Sequence, residues 1–183
     1  AARAAGRMVP PEPAGPLVPR AIWSIISRHL PTGAIVSDEA GTTSIGADDA
    51  MQCANPHVWL NLTGGSIGQG LPVATGAAIA CPNRTVVAVH GDGGAMYTLQ
   101  ALWTQARERS RVVNVIFRND RYAILQHETR RHGLGPLGPK GAAMFELSQP
   151  PINWVPLSTA LGVGAVTVRT AEAFSQAFRD ALQ

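Results

Sequence analysis

The chain has 183 residues, 45% of them hydrophobic and 15% charged, with a net charge of +3. This length favours one compact domain with a substantial core, and the low charge content predicts large surfaces that a partner covers. The basic residues are scattered, which argues against a nucleic-acid binder, and two cysteines are too few for a disulfide framework. No apolar stretch is long enough to span a bilayer and no signal-peptide core is visible, so we expect a cytoplasmic protein that binds no membrane.

The first third of the chain predicts a linker, a helix and a strand. Residues 1–18 are rich in alanine, proline and glycine, as is typical of an interdomain linker. Pro19 suits the first turn of a helix, and apolar residues at helical spacing continue that helix as far as Leu30. Residues 34–38 predict a strand, and residues 39–60 are predicted to be mostly loop.

The remaining two thirds alternate between helix and strand. Two uninterrupted apolar runs, at residues 85–89 and 112–117, predict buried parallel strands. Further elements are predicted as a small-residue helix at 71–80, a helix at 96–109, a short helix up to 126, a mobile connection at 133–140, a helix at 154–161, a short strand at 164–168 and an amphipathic helix at 171–182. Residues 19–183 are therefore predicted to form an α/β domain, a doubly wound and mostly parallel sheet with helices on both faces.

Polar residues follow both apolar runs at the point where each predicted strand ends. Gly91, Asp92 and Gly93 follow the first run, and Asn119 follows the second, 27 positions after Asp92. Open α/β sheets bind ligands at the carboxyl ends of their strands, and a carboxylate with an amide oxygen suits Mg²⁺, which adds phosphate oxygens and water. The glycines let the backbone approach an anion, and the next helix points its N–H groups there. The pattern therefore predicts a site for a metal and a diphosphate.

This arrangement resembles the cofactor motif of the thiamine-diphosphate-dependent enzymes, Gly-Asp-Gly followed at similar spacing by Asn-Asn. Arg118 stands where the family has its first Asn, and Asn119 matches the second, metal-binding one. The resemblance implies that Asp92, Asn119 and the main-chain carbonyl of Arg121 bind Mg²⁺. A main-chain carbonyl does not depend on its side chain, so the departure at Arg118 leaves the implied metal site intact.

The segment at residues 63–72 is similar to the glycine-rich segment of the same family. The resemblance implies that the carbonyl of Gly65 accepts a hydrogen bond from the 4′-amino group of thiamine diphosphate. It also implies that Ile67 wedges between the two cofactor rings and holds them in the bent V conformation. By residue type alone, Ile67 fits a core position as well.

The remaining cofactor contacts are implied for residues beside these motifs. Gly41 and Thr42 follow the first strand, and Ser66 precedes Ile67. Gly91, Gly93 and Gly94 belong to the Gly-Asp-Gly segment, and Tyr122, Ala123 and Ile124 follow Asn119. Gly41 and Thr42 fit an ordinary loop equally well, and Gly94 stands where relatives often carry a hydroxyl residue. Glu39, beside a strand end, is assigned no catalytic role.

Residues 101–104 and 122–125 resemble the acetolactate synthase and benzoylformate decarboxylase branch of the family. The resemblance implies a domain that binds thiamine diphosphate and Mg²⁺ for decarboxylation and carboligation of 2-oxo acids. An aryl 2-oxo acid decarboxylase is the alternative chemistry. In this family the activating Glu lies on a pyrimidine-binding domain of the same or a neighbouring subunit, which no segment here matches. We therefore expect a homodimer or homotetramer of a longer chain, and a domain truncated before its last strand.

Two other hypotheses stay open. The chain fits a cofactor-binding fragment or paralogue without catalysis of its own. It also fits a nucleotide-binding Rossmann domain, although no Gly-x-Gly-x-x-Gly follows its first predicted strand.

Overall fold

A parallel sheet forms the centre of the domain in the computed structural model, which describes residues 11–183. Its strands are β1 (Ile35–Glu39), β2 (Val58–Asn61), β3 (Val86–Gly91) and β4 (Val112–Phe117), in the order β2-β1-β3-β4. The helices are α1 (Pro19–His29), α2 (Ala47–Met51), α3 (Gly70–Ala80), α4 (Asp92–Ala95), α5 (Ala101–Arg107), α6 (Ala123–Arg131), α7 (Pro139–Ala143), α8 (Trp154–Ala160) and α9 (Ala171–Ala181), with a 3-10 helix at Gly41–Ser44.

Helices cover both faces of the sheet, because successive side chains of a strand point to opposite faces. On one face, Val87 and Val89 pack in a cluster with α1, α2 and α9. On the other, Val86 and Ala88 pack against α3, and α5 and α8 form a further cluster beside it. Burial on both faces explains why the β3 run shows no polar alternation. The predicted doubly wound α/β fold is confirmed.

The strand order places a topological switch point between β1 and β3, and the space outside the carboxyl ends of these two strands is here called the crevice. The chain moves from β1 outward to β2, then crosses to β3 and continues outward to β4. Neighbouring strands whose connections leave in opposite directions form a topological switch point, where ligands bind outside the carboxyl ends. β1 ends at Glu39 and β3 ends at Gly91, so residues 39–41 and 91–94 flank the crevice.

The prediction that residues 39–60 are mostly loop is wrong for three short elements, the 3-10 helix, α2 and β2. β2 pairs in parallel with β1, with Val36 opposite Trp59. Its four residues are partly exposed, so their pattern gives only a weak strand signal. Pairing with β1 is a tertiary contact, and it is this contact that makes the segment a strand.

Three further boundaries differ from the predicted ones. The helix predicted at 96–109 begins at Ala101, and residues 96–100 form turns after the separate single turn of α4. The helix predicted to stop at 126 continues to Arg131. Residues 164–168 form no strand, and together with β4 they line a cavity of about 870 Å³. A further strand after α9 stays a prediction.

The predicted linker is only partly described, since residues 1–10 lie outside the described residues. Within residues 11–18, the Gly15 N–H donates to Glu172 at 2.8 Å, and Pro16 forms an antiparallel bridge with Thr170. This part of the segment therefore lies along the start of α9.

Candidate functional site

Asp92 is the buried carboxylate at the carboxyl end of β3. Its side chain is 2% exposed, and Oδ1 accepts the Gly93 N–H at 3.0 Å. Oδ2 accepts the Asp120 N–H at 2.7 Å, so the carboxylate joins the end of β3 to the turn that follows β4. Burial raises the pKa of Asp92, because the charged form loses solvation. A bound cation would offset that cost.

The turn after β4 is held in one conformation by its own side chains. Asn119 Oδ1 accepts the Arg121 N–H at 3.1 Å, and Arg118 Nε donates to Asp120 Oδ1 at 2.7 Å. Asp120 adopts a left-handed φ of 55°, which an Asp tolerates better than most residues. Its carbonyl accepts the Leu147 N–H at 2.8 Å. The structure therefore brings residues 119–121 against Asp92, as the two halves of the motif require.

Packing within the chain requires a glycine at position 93, before any ligand is considered. A Cβ at this position would lie 2.5 Å from Tyr122 Cε1 and 3.4 Å from Leu147 Cδ1. The Gly93 N–H donates a hydrogen bond to the Asp92 carboxylate. Tyr122 is the residue before α6, whose first two residues are Ala123 and Ile124, and the Ile124 side chain is exposed.

The loop at residues 63–70, here called the glycine loop, forms another wall of the crevice. Gly64, Gly65 and Gly68 have φ values of 63°, 68° and 94°, a region that favours glycine. The Gly65 carbonyl accepts the Ile67 N–H at 2.9 Å. A carbonyl oxygen has two lone pairs and Gly65 is exposed, so a second donor can still bind there. Ser66, between them, is also exposed.

Ile67 does not occupy a core position. Its side chain is 53% exposed, and Cγ2 lies 3.9 Å from where a Cβ of Gly94 would be. The glycine loop thus meets the Gly-Asp-Gly segment at these two residues. An exposed large apolar side chain at a crevice is suited to contact a ligand or a partner.

Glu39 is a site residue whose importance sequence reasoning missed. It ends β1, is 7% exposed, and accepts the N–H groups of Gly68 and Gly70. His90 lies beneath it, with Nδ1 3.9 Å from Glu39 Oε2. Burial lowers the pKa of His90 to about 4, so this imidazole is neutral near pH 7. The available signal was an acidic residue directly at a predicted strand end.

The 3-10 helix places Gly41 and Thr42 beside the same crevice. Asp38 Oδ1 accepts the Ala40 N–H at 3.0 Å and the Ser44 hydroxyl at 2.6 Å. A Cβ at Gly91 would lie 3.9 Å from the Ala40 carbonyl oxygen, so this turn borders the end of β3.

The residue types at this end of the sheet suit a magnesium ion. Within residues 11–183, no group of three or more His, Cys, Asp and Glu side chains could hold a metal ion. Mg²⁺ does not need such a group, since it binds through one or two carboxylates and fills its octahedron with phosphate oxygens and water. The buried Asp92 carboxylate, whose pKa is raised by burial, would supply the charge, and Asn119 in the adjoining turn would supply a neutral oxygen.

None of the helices in the described part of the chain has the length and apolar character needed to cross a membrane.

Comparison with known proteins gives one family and several relatives. Residues 39–183 match the family model described as "Thiamine pyrophosphate enzyme, C-terminal TPP binding domain". A Mycobacterium tuberculosis protein named as an acetolactate synthase large subunit, IlvX, is 42% identical over 178 residues, which are 97% of this chain and 35% of that protein. Benzoylformate decarboxylase of Pseudomonas aeruginosa is 30% identical over 171 residues, which are 93% of this chain and 31% of that protein.

The structure resembles that of Rhodococcus jostii thiamine diphosphate-dependent 4-hydroxybenzoylformate decarboxylase, with a TM-score of 0.78 and 31% identity. The match covers 91% of this chain and 30% of that one. The chain thus spans about a third of the length of the relatives it matches.

Proposed function

The chain belongs to the thiamine pyrophosphate enzymes, whose C-terminal TPP-binding domain it contains, and we propose that it binds thiamine diphosphate and Mg²⁺ in the crevice between β1 and β3. The observation that carries this proposal is the buried Asp92 carboxylate, fastened to the turn after β4 by the Asp120 N–H. Asp92, Asn119 and the Arg121 carbonyl would hold the metal. Gly41, Thr42, Gly91 and Gly94 would line the diphosphate.

Bound thiamine diphosphate supplies the nucleophilic carbon and the electron sink for decarboxylation of a 2-oxo acid. The chain's own residues would anchor and orient the cofactor. Gly65 would accept a hydrogen bond from the 4′-amino group, and Ile67 would press between the rings from the glycine loop. Ser66, Tyr122, Ala123 and Ile124 would complete the wall around them.

We propose acetolactate synthase-like decarboxylation and carboligation as the reaction of the whole enzyme, supported by the 42% identity to IlvX. Decarboxylation of an aryl 2-oxo acid is the second candidate, supported by the likeness to benzoylformate and 4-hydroxybenzoylformate decarboxylases. Comparing carbon dioxide release from pyruvate and from benzoylformate in the assembled enzyme distinguishes the two.

Exposed apolar side chains near the crevice support the proposal that a partner covers it. Ile45 is 82% exposed, Tyr97 61% and Ile67 53%. Exposed large apolar side chains at a ligand site favour contact with a partner. We propose that a pyrimidine-binding domain of the same or a neighbouring subunit covers the crevice, within a homodimer or homotetramer.

Isothermal titration calorimetry with thiamine diphosphate tests the proposed function. We expect binding in the presence of Mg²⁺ and at least about tenfold weaker binding after chelation, because the metal joins the diphosphate to Asp92. Thiamine without its diphosphate, the control ligand, should bind at least about tenfold more weakly, since it cannot reach the metal. Equal affinities with and without Mg²⁺ would contradict the proposal.

Ile67→Ala should lower turnover of the assembled enzyme by about tenfold or more while leaving thiamine diphosphate affinity within several-fold. The physical reason is that Ile67 shapes the cofactor, whereas the diphosphate contacts lie at other residues. Steady-state kinetics and calorimetry on the same preparations give both values. Ile79→Ala, at an exposed position on α3, is the matched control. A large loss of affinity with unchanged turnover per bound cofactor would speak against this role.

A further inference from the structure

A second buried carboxylate, Glu39, lies in the crevice beside Asp92 and is not among the expected cofactor ligands. We propose that Glu39 is a positioning residue, whose carboxylate holds the glycine loop so that the Gly65 carbonyl and the Ile67 side chain face the bound cofactor. This inference rests on the proposed function, because it requires that the glycine loop contacts the ring portion of thiamine diphosphate.

Glu39 joins the sheet to the glycine loop through both of its oxygens. Its backbone belongs to β1 and lies opposite His90 of β3. Oε1 accepts the Gly68 N–H, and Oε2 accepts the Gly70 N–H at 2.6 Å. Since the carboxylate is 7% exposed, water cannot replace either bond without opening the crevice. The end of the glycine loop is therefore fixed relative to the sheet by this one side chain.

The close contact between Glu39 and the glycine loop depends on glycines, which have no side chain. A Cβ at Gly70 would lie 2.7 Å from Glu39 Oε2 and 2.8 Å from His90 Nδ1, so only glycine allows the approach. A Cβ at Gly68 would lie 2.6 Å from Tyr97 Cβ. Any larger residue at either position would push the loop away from the carboxylate.

Glu39 also borders the Gly-Asp-Gly segment. A Cβ at Gly94 would lie 3.1 Å from Glu39 Oε1 and 3.9 Å from Ile67 Cγ2. The carboxylate therefore lies where the glycine loop and the metal-binding segment meet. Both of its oxygens accept N–H groups of the glycine loop, so the carboxylate is oriented toward that loop.

The neighbouring carboxylate, Asp38, provides a matched comparison. Successive strand residues point to opposite faces, and Asp38 holds the 3-10 helix through Ala40 and Ser44 instead of the glycine loop. Gly41 and Thr42, proposed to line the diphosphate, belong to that 3-10 helix. Two adjacent carboxylates at the end of β1 thus hold two different walls, one for the diphosphate and one for the rings.

Glu39→Gln tests the proposal, because glutamine has the same size but only one acceptor oxygen, so one of the two N–H groups loses its partner. Affinities for thiamine diphosphate and for inorganic diphosphate, each with Mg²⁺, are measured by calorimetry. We expect E39Q to weaken thiamine diphosphate binding about tenfold and to leave inorganic diphosphate within about twofold. D38N should weaken both ligands by similar factors. E108Q, at an exposed carboxylate paired with Arg107, should change neither.

A merely structural role for Glu39 would lower both affinities together, and that result would overturn the inference, as would an unchanged ratio of the two. If the wild type binds thiamine diphosphate and E39Q binds it with the same affinity, the inference is overturned but the proposed function is not. Absence of wild-type binding overturns the proposed function together with the inference. If E39Q does not fold, E39D keeps the charge with a shorter reach and is expected to shift the same ratio in the same direction.

Discussion

Asp92→Ala is expected to abolish Mg²⁺-dependent binding of thiamine diphosphate, with an affinity loss of about 100-fold or more. Removing a residue that merely orients a metal ligand commonly costs about 10- to 100-fold in metal affinity, and Asp92 is proposed to be the ligand itself. Asn119→Ala should cost less, about tenfold, because a neutral oxygen is lost instead of a charge. Calorimetry at saturating Mg²⁺ measures both.

The structure also suggests which variant keeps the fold. Asp92→Asn retains the size of the side chain and one acceptor oxygen, so the Asp120 N–H can keep its partner while the Gly93 N–H loses its own. Removing the charge that burial disfavours offsets that loss. The stability of this variant to urea should stay close to that of the wild type, whereas its Mg²⁺-dependent affinity should fall as in Asp92→Ala. Asp48→Asn, at an exposed position on α2, is the control for charge alone. Undiminished thiamine diphosphate affinity in a folded Asp92→Asn protein would refute the assignment of the metal site.

The chain by itself is expected to release no carbon dioxide from pyruvate or benzoylformate above the background of free cofactor and Mg²⁺. The carboxylates near the crevice are engaged by backbone N–H groups: Asp38 by Ala40, Glu39 by Gly68 and Gly70, and Asp92 by Gly93 and Asp120. These contacts use the three carboxylates to hold the chain's own backbone, and the activating Glu is proposed to lie on the pyrimidine-binding domain. Gly65 and Ile67 are exposed, so water reaches the ring position as well.

Adding the pyrimidine-binding region of the whole enzyme should restore turnover if the two parts assemble. A coupled assay of carbon dioxide release follows the activity, and the Asp92→Asn chain with the same added region is the matched control. Robust turnover by the purified chain alone would show that the activating group lies within these 183 residues, and would refute the proposed division of the active site.

Within residues 11–183, local pattern alone was enough for three of the four strands, β1, β3 and β4, and for the placement of Asp92 and Asn119 at strand ends. The buried runs that became β3 and β4 are uninterrupted, and the helices α1, α3 and α9 carry clear apolar or small-residue signals. Asp92 and Asn119 could be placed at neighbouring strand ends because parallel strands put their carboxyl ends at one edge. Such features depend on residues close in sequence, and a sequence shows these directly.

Tertiary contacts decided the rest. β2 is a strand because β1 pairs with it, whereas residues 164–168, which line a cavity together with β4, pair with no strand. Ile67 fits either the core or the surface by type, and the positive φ values of the glycine loop bring it out beside Gly94. The contacts of Glu39 could not be predicted from the sequence, because the N–H groups of residues 68 and 70 lie about thirty positions away and reach its carboxylate only in the folded chain. By itself the sequence determined which residues end the strands and what chemistry they offer; the approach of distant backbone groups, which no local pattern encodes, determined which of them meet.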